Sequence, residues 1–145
     1  MEKTDQQITP TQESRLTGKK RILVVDDNAD LLSLNRTVLE MDDYEVFTAQ
    51  SGCEALALLA EIAQPDLILL DMRMEDMSGP QFLLEFEEKR PEIFENVPVV
   101  FLSAMEKVPE SKAVGFIRKP VDIDKFLAAV HRFIEIGTGR PVFKH

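Results

Sequence analysis

"RILVVDDNAD", residues 21–30, runs an unbroken set of aliphatic residues into two adjacent acids. An apolar run without polar alternation fits a strand covered on both faces, the habit of parallel sheets lying between helix layers. Two like charges at the end of such a strand repel one another and call for water or a cation. Counting 22–25 as the first strand, similar runs at 44–49, 66–70, 97–102 and 114–117 bring the expected number to five. Between them, apolar residues recur at helical spacing: Leu31, Leu34, Val38 and Met41; Ala55, Leu58, Leu59 and Ile62; Ile123, Phe126, Leu127, Val130 and Phe133. Ser51 with Glu54, and Ser78 with Gln81, have capping-box spacing. Pro98 falls at the opening of the fourth run, where a missing donor is tolerated. Strands alternating with amphipathic helices predict an α/β domain on a doubly wound, five-stranded parallel sheet.

Composition narrows the function. A chain of 145 residues fits one domain, able to bury about 70% of its unfolded surface. Its 44% hydrophobic and 30% charged residues are those of a soluble globular protein, and no apolar run is long enough to cross a bilayer. Residues 1–19 are polar, lack aromatics and a signal-peptide core, and are expected to form a disordered leader. The domain proper is expected over 20–136, followed by a tail, 137–145, punctuated by glycine and proline. Nine residues after Ile136 leave no room for a DNA-binding or catalytic unit, so a stand-alone domain is expected. A net charge of −9 disfavours nucleic acid and anionic membranes as direct partners. The single cysteine, Cys53, excludes an internal disulfide, suits a reducing cytoplasm and is expected as a small buried side chain on a helix.

In an open parallel sheet, ligands bind beyond the carboxyl ends of the strands. Those ends carry Asp26 and Asp27, Asp71, Ser103, and Lys119 followed by Pro120. Three clustered carboxylates repel strongly, and a hard divalent cation resolves the repulsion; Mg²⁺ prefers one or two carboxylates, a carbonyl, waters and a phosphate oxygen. A carboxylate beside such a cation can attack phosphorus, with Lys119 and the Ser103 hydroxyl supplying positive charge and a hydrogen bond. Taken singly, each residue has an ordinary explanation. Asp27 or Asn28 can cap the following helix, Asp71 can be a loop acid, Ser103 a turn residue, and Lys119 a solvated charge. Four independent strand ends of the required types are hard to obtain by chance.

In "ILVVDDNAD", "PDLILLDMRMEDMSG", "VPVVFLSA" and "GFIRKPVD", in that order, the sequence resembles the receiver domain of two-component response regulators over 20–136. The resemblance implies a flavodoxin-like strand order 2-1-3-4-5, as in chemotaxis regulators. It makes Asp71 the phosphoacceptor, supplied by a phosphohistidine on a sensor histidine kinase or phosphotransfer protein. It implies Mg²⁺ bound by Asp27, Asp71 and the backbone carbonyl of Arg73, with Asp26 acting mainly through water. Ser103 takes the switch position and Lys119 the phosphate-contacting lysine. Ala104 joins the phosphate-binding set, and Pro120 follows the lysine through a cis peptide bond. Phe116 stands where the family keeps an aromatic switch, against which plain core packing weighs equally. Phosphorylation would then draw Ser103 and its loop toward the new oxygens, admit Phe116 behind them and change a surface read by an output protein. The oligomeric expectation is a monomer or weak dimer.

The sequence also departs from the family pattern. Glu75 replaces the proline usually found four residues beyond the acceptor, and is expected to point to solvent. Arg73 and Met105 occupy positions where the family tunes access of hydrolytic water. Only fifteen residues separate Ser103 from Lys119, and "AMEKVPESK" contains Pro109. A mean helix is about eleven residues and an interior proline breaks one, so the fourth helix should be a turn or so, or absent. Two other functions compete. One is a receiver-like binding module that works unphosphorylated. The other is a phosphatase or phosphotransferase resembling haloacid-dehalogenase enzymes, which place a second acid two residues after the nucleophile, where this chain has Arg73. His131 and His145 are expected to be ordinary exposed residues.

Overall fold

A computed structural model describes residues 18–104, 111–119 and 122–138. The leader expected at 1–19 and the tail at 137–145 lie almost wholly outside the described residues, as do Met105, Pro109, Pro120 and His145. Five strands, β1 (Arg21–Val25), β2 (Glu45–Ala49), β3 (Leu67–Asp71), β4 (Val99–Ser103) and β5 (Gly115–Arg118), form one parallel sheet in the order β2-β1-β3-β4-β5. The helices among the described residues are α1 (Ala29–Met41), α2 (Gly52–Leu59), α3 (Gly79–Lys89), the one-turn α4 (Pro91–Phe94) and α5 (Ile123–Ile136). The expected fold class and strand order are both observed.

The three inner strands, β1, β3 and β4, carry no polar alternation because both of their faces are covered. Leu67 to Leu70 are all fully buried, and burial of each such side chain contributes about 1.5–3 kcal/mol. On one face Leu23, Val25, Ile68, Leu70 and Phe101 pack with Phe82 and Phe86 of α3. On the other, Ile22, Val24, Leu69, Val100 and Leu102 pack with Leu32 and Leu39 of α1 and Phe126 and Val130 of α5. Helix starts follow their local chemistry. Ser78 and Gln81 form the full reciprocal capping box, at 3.2 and 2.8 Å. Ser51 Oγ accepts the Glu54 N–H at 3.0 Å, but the Glu54 carboxylate takes the N–H of Gln50 instead of that of Ser51.

Three expectations need correction. In α1, Leu34 and Met41 are exposed, and the buried stripe is Leu32, Val38 and Leu39. The helix is apolar on more than one side, and packing on the sheet selects which side is covered. Cys53 is exposed, not buried, because it lies in the first turn of α2, whose core-facing positions are Ala55 and Leu59. Phe116 is 38% exposed, which removes core packing as its explanation. The expectation that the fourth helix is a turn or so, or absent, falls on residues 105–110, outside the described residues; Ala104 and residues 111–114 on either side are not helical.

Candidate acidic site at the strand ends

The acids of the opening motif are held differently from each other. Asp26 continues the strand pairing through its N–H to the Ala49 carbonyl at 3.1 Å, which draws its side chain inward to 1% exposure. Its Oδ1 accepts the Asn28 N–H at 2.9 Å. Asn28 then caps α1, its Oδ1 accepting the Leu31 N–H at 3.0 Å. With the cap supplied by Asn28, Asp27 is released from that duty. It is exposed, and its Oδ2 accepts the Glu75 N–H at 3.1 Å.

Asp71 closes β3 and Ser103 closes β4, one residue before the chain leaves the sheet in each case. Lys119 follows β5, and its N–H bonds the Ser103 carbonyl at 2.6 Å, so the β4–β5 ladder carries the lysine to the same end of the sheet. Its Nζ lies 3.1 Å from Asp71 Oδ1 and 3.6 Å from Asp26 Oδ2. Oxygens of Asp26, Asp27 and Asp71 all fall within 4.8 Å of one another. Burial, then the charge of Asp26, raise the Asp71 carboxyl above its ordinary value, while Lys119 pulls it back down. The Asp71 side chain keeps 13% of its surface open.

The donor set suits a hard cation. All three side chains offer oxygen only, and Asp26 Oδ2 is buried with no hydrogen-bond donor. These residues fit Mg²⁺ held by one or two carboxylates directly and the rest through water. The Arg73 carbonyl belongs to a loop that folds back on itself, with Arg73 bridging Ser78 and the Gly79 N–H reaching the Met72 carbonyl at 2.8 Å. Glu75 is exposed and outside the trio. Ala104 and Lys119 line a groove of about 390 Å³ between α1 and α5, apart from the trio itself. Phe116 projects from the outer strand, β5. His131 is exposed on α5, 3.4 Å from Glu135.

Sequence reasoning left open which of two residues caps α1, and overlooked Asp76. The Asp76 carboxylate accepts the N–H groups of Gly52 at 3.1 Å and Cys53 at 2.9 Å, joining the loop after β3 to the start of α2. Capping types at Asn28 were visible, but no spacing rule connects Asp76 with a helix more than twenty residues earlier.

Five parallel strands in the order β2-β1-β3-β4-β5, with acids and a lysine gathered at their carboxyl ends, are the arrangement of a receiver domain. The family model of the response regulator receiver domain matches residues 22–131, and the chain belongs to that family. It is 32% identical to sporulation initiation phosphotransferase F of Bacillus subtilis, covering 81% of this chain and 95% of that protein. It is 34% identical to the transcriptional regulatory protein GlrR of Escherichia coli over 79% of this chain, yet spans only 26% of that protein. The chemotaxis response regulator CheY4 of Vibrio cholerae superposes with a TM-score of 0.70 at 28% identity, covering 79% of this chain and 98% of that one. Receiver domains work in two-component signalling, interact with histidine kinases or phosphotransfer proteins, and typically bind Mg²⁺ at an acidic pocket. Among the described residues, no helix is long and apolar enough to cross a membrane.

Proposed function

We propose that this domain accepts a phosphoryl group on Asp71 and signals through a phosphorylation-dependent change of its binding surface. The reading is carried by one observation: a partly open, crowded carboxylate whose oxygen lies 3.1 Å from a lysine and beside two further acids. An Asp71 oxygen attacks the phosphorus of a phosphohistidine, the P–N bond breaks, and the imidazole leaves with the electron pair. Asp26, Asp27, Asp71 and the Arg73 carbonyl are the groups that would hold Mg²⁺, which, when bound, offsets negative charge on the phosphoryl oxygens. Lys119 exchanges its contact with the Asp71 carboxylate for one with those oxygens. The Ser103 hydroxyl and the backbone at Ala104 bond the remaining ones, and the move of that loop makes room for Phe116.

The partner delivering phosphate is a sensor histidine kinase or phosphotransfer protein, and the output is a protein that discriminates the two states. With the crossover from β4 to β5 so short, β5 with Phe116 and α5 form the face expected to carry that discrimination. The same shortening favours the second reading, a binding module that works without phosphate. A monomer or weak dimer in a reducing cytoplasm fits the charge and the single cysteine. Incubation with acetyl phosphate and Mg²⁺, followed by intact mass measurement, tests the proposal. Wild type should gain one phosphoryl adduct and Asp71→Asn none. Wild type that binds Mg²⁺ but gains no adduct would leave the second reading.

A further inference from the structure

The loop between β3 and α3 touches the acidic site with one flank and α2 with the other. On the site flank, the Glu75 N–H holds Asp27 Oδ2 at 3.1 Å. On the helix flank, the next residue, Asp76, clamps two N–H groups of the first turn of α2, at 3.1 and 2.9 Å. The donors freed at the start of that helix are thus shared between a local cap, Ser51, and a carboxylate from a distant loop. Met77 adds a second attachment. Its Sδ would stand 2.5 Å from a Cβ placed on Gly52, so the glycine leaves room for the loop to lie against the helix. Burial lifts the Asp76 carboxyl, but the N–H bonds from Cys53 and Gly52 outweigh it and hold the group below its ordinary value, consistent with an ionised clamp. No step of the proposed phosphoryl transfer uses Asp76.

Resting on the cation and phosphoacceptor reading above, we propose that Asp76 is a positioning residue for that site: by fastening the loop to α2 it sets Asp27 through the Glu75 N–H and places the Arg73 carbonyl. Glu75 and Asp76 are neighbours separated by only a few soft dihedrals, so a loop released at Asp76 lets the Glu75 N–H drift from Asp27. Losing a group that orients a metal ligand costs about 10–100-fold in affinity, a far larger change than one distant surface charge produces at ordinary salt.

The test uses the full chain as wild type, Asp76→Ala, Asp76→Asn and Ser51→Ala. Mg²⁺ affinity is measured by calorimetry and amide exchange at Glu75 by NMR. Asp76→Ala should weaken Mg²⁺ binding about 10-fold and speed exchange at Glu75. Asp76→Asn, which keeps an oxygen acceptor without the charge, should fall between Ala and wild type in both measurements. Ser51→Ala weakens the same helix start without touching the loop and should bind Mg²⁺ as wild type does. The proposal is overturned if Asp76→Asn matches wild type, if it matches Asp76→Ala while exchange at Glu75 stays slow, or if Ser51→Ala loses as much affinity as Asp76→Ala. Should Asp76→Ala fail to fold, Asp76→Asn decides through the same two measurements. A wild type that takes up no Mg²⁺ overturns the site reading itself, a result distinct from equal affinities across the variants.

Discussion

Replacing Asp71 by Asn removes one of three like charges whose oxygens lie within 4.8 Å of one another. At an effective dielectric of about 20, each of its two repulsions is worth about 3.5 kcal/mol at that separation, before solvent screens the exposed Asp27. The same substitution gives up the attraction to Lys119 Nζ at 3.1 Å, about 5 kcal/mol on the same scale. The exposed Asp27 is screened more than the buried Asp26, so its repulsion is the smaller of the two and the charges leave only a small excess of repulsion over attraction. Burial of the carboxylate adds to the imbalance, in keeping with the raised Asp71 carboxyl. Asp71→Asn should therefore be more stable than wild type without divalent cation, by about 2 kcal/mol. Lys119→Met should act in the opposite direction, losing about 3 kcal/mol, because it strands partly buried acids with no positive partner. Both values come from urea unfolding in chelator, followed by far-UV circular dichroism since the chain has no tryptophan. Added Mg²⁺ should narrow both differences, because it binds wild type better than Asp71→Asn, which lacks one acid, and binds Lys119→Met better than wild type, whose lysine competes for the same acids. An Asp71→Asn protein no more stable than wild type in chelator would refute the electrostatic picture of this pocket.

Two further outcomes follow from packing and capping. A Cβ at Gly79 would sit 2.6 Å from Phe101 Cε1 and 3.4 Å from the Met72 Cα, so Gly79→Ala should cost about 1–3 kcal/mol despite alanine's better helix propensity, read as a lowered Tm. The folded state binds the Asp76 proton more weakly than the unfolded chain does, so this residue's stabilising contribution is present above the ordinary carboxyl value and is lost as pH falls through its lower folded value. The stability gap between wild type and Asp76→Ala should accordingly shrink on acidification, in urea midpoints measured against pH; a gap that widens would contradict the clamp.

Periodicity carried the architecture. Strands at both faces of a parallel sheet are apolar throughout, and helices here begin with side chains chosen for their free N–H groups, so the alternation of elements could be read from residue order alone. Face selection was less legible. Leu34 and Met41 continue an apolar spacing yet remain exposed, and Cys53 sits at an exposed helix start. A helix with apolar residues on two sides does not declare which side the sheet will cover. The small number of residues between β4 and β5 was legible because it follows from residue order alone.

Residue order by itself determined that Asp26, Asp27, Asp71, Ser103 and Lys119 would all lie at strand ends, since each stands within two residues of the end of an apolar run. Only the tertiary structure decided that Asn28 caps α1 while Asp27 accepts the Glu75 N–H, and that Asp76 reaches back to α2. The physical reason is reach. Strand and helix patterns are set by neighbours along the chain, whereas a carboxylate choosing among donors many residues away is governed by distances that exist only after the sheet has assembled.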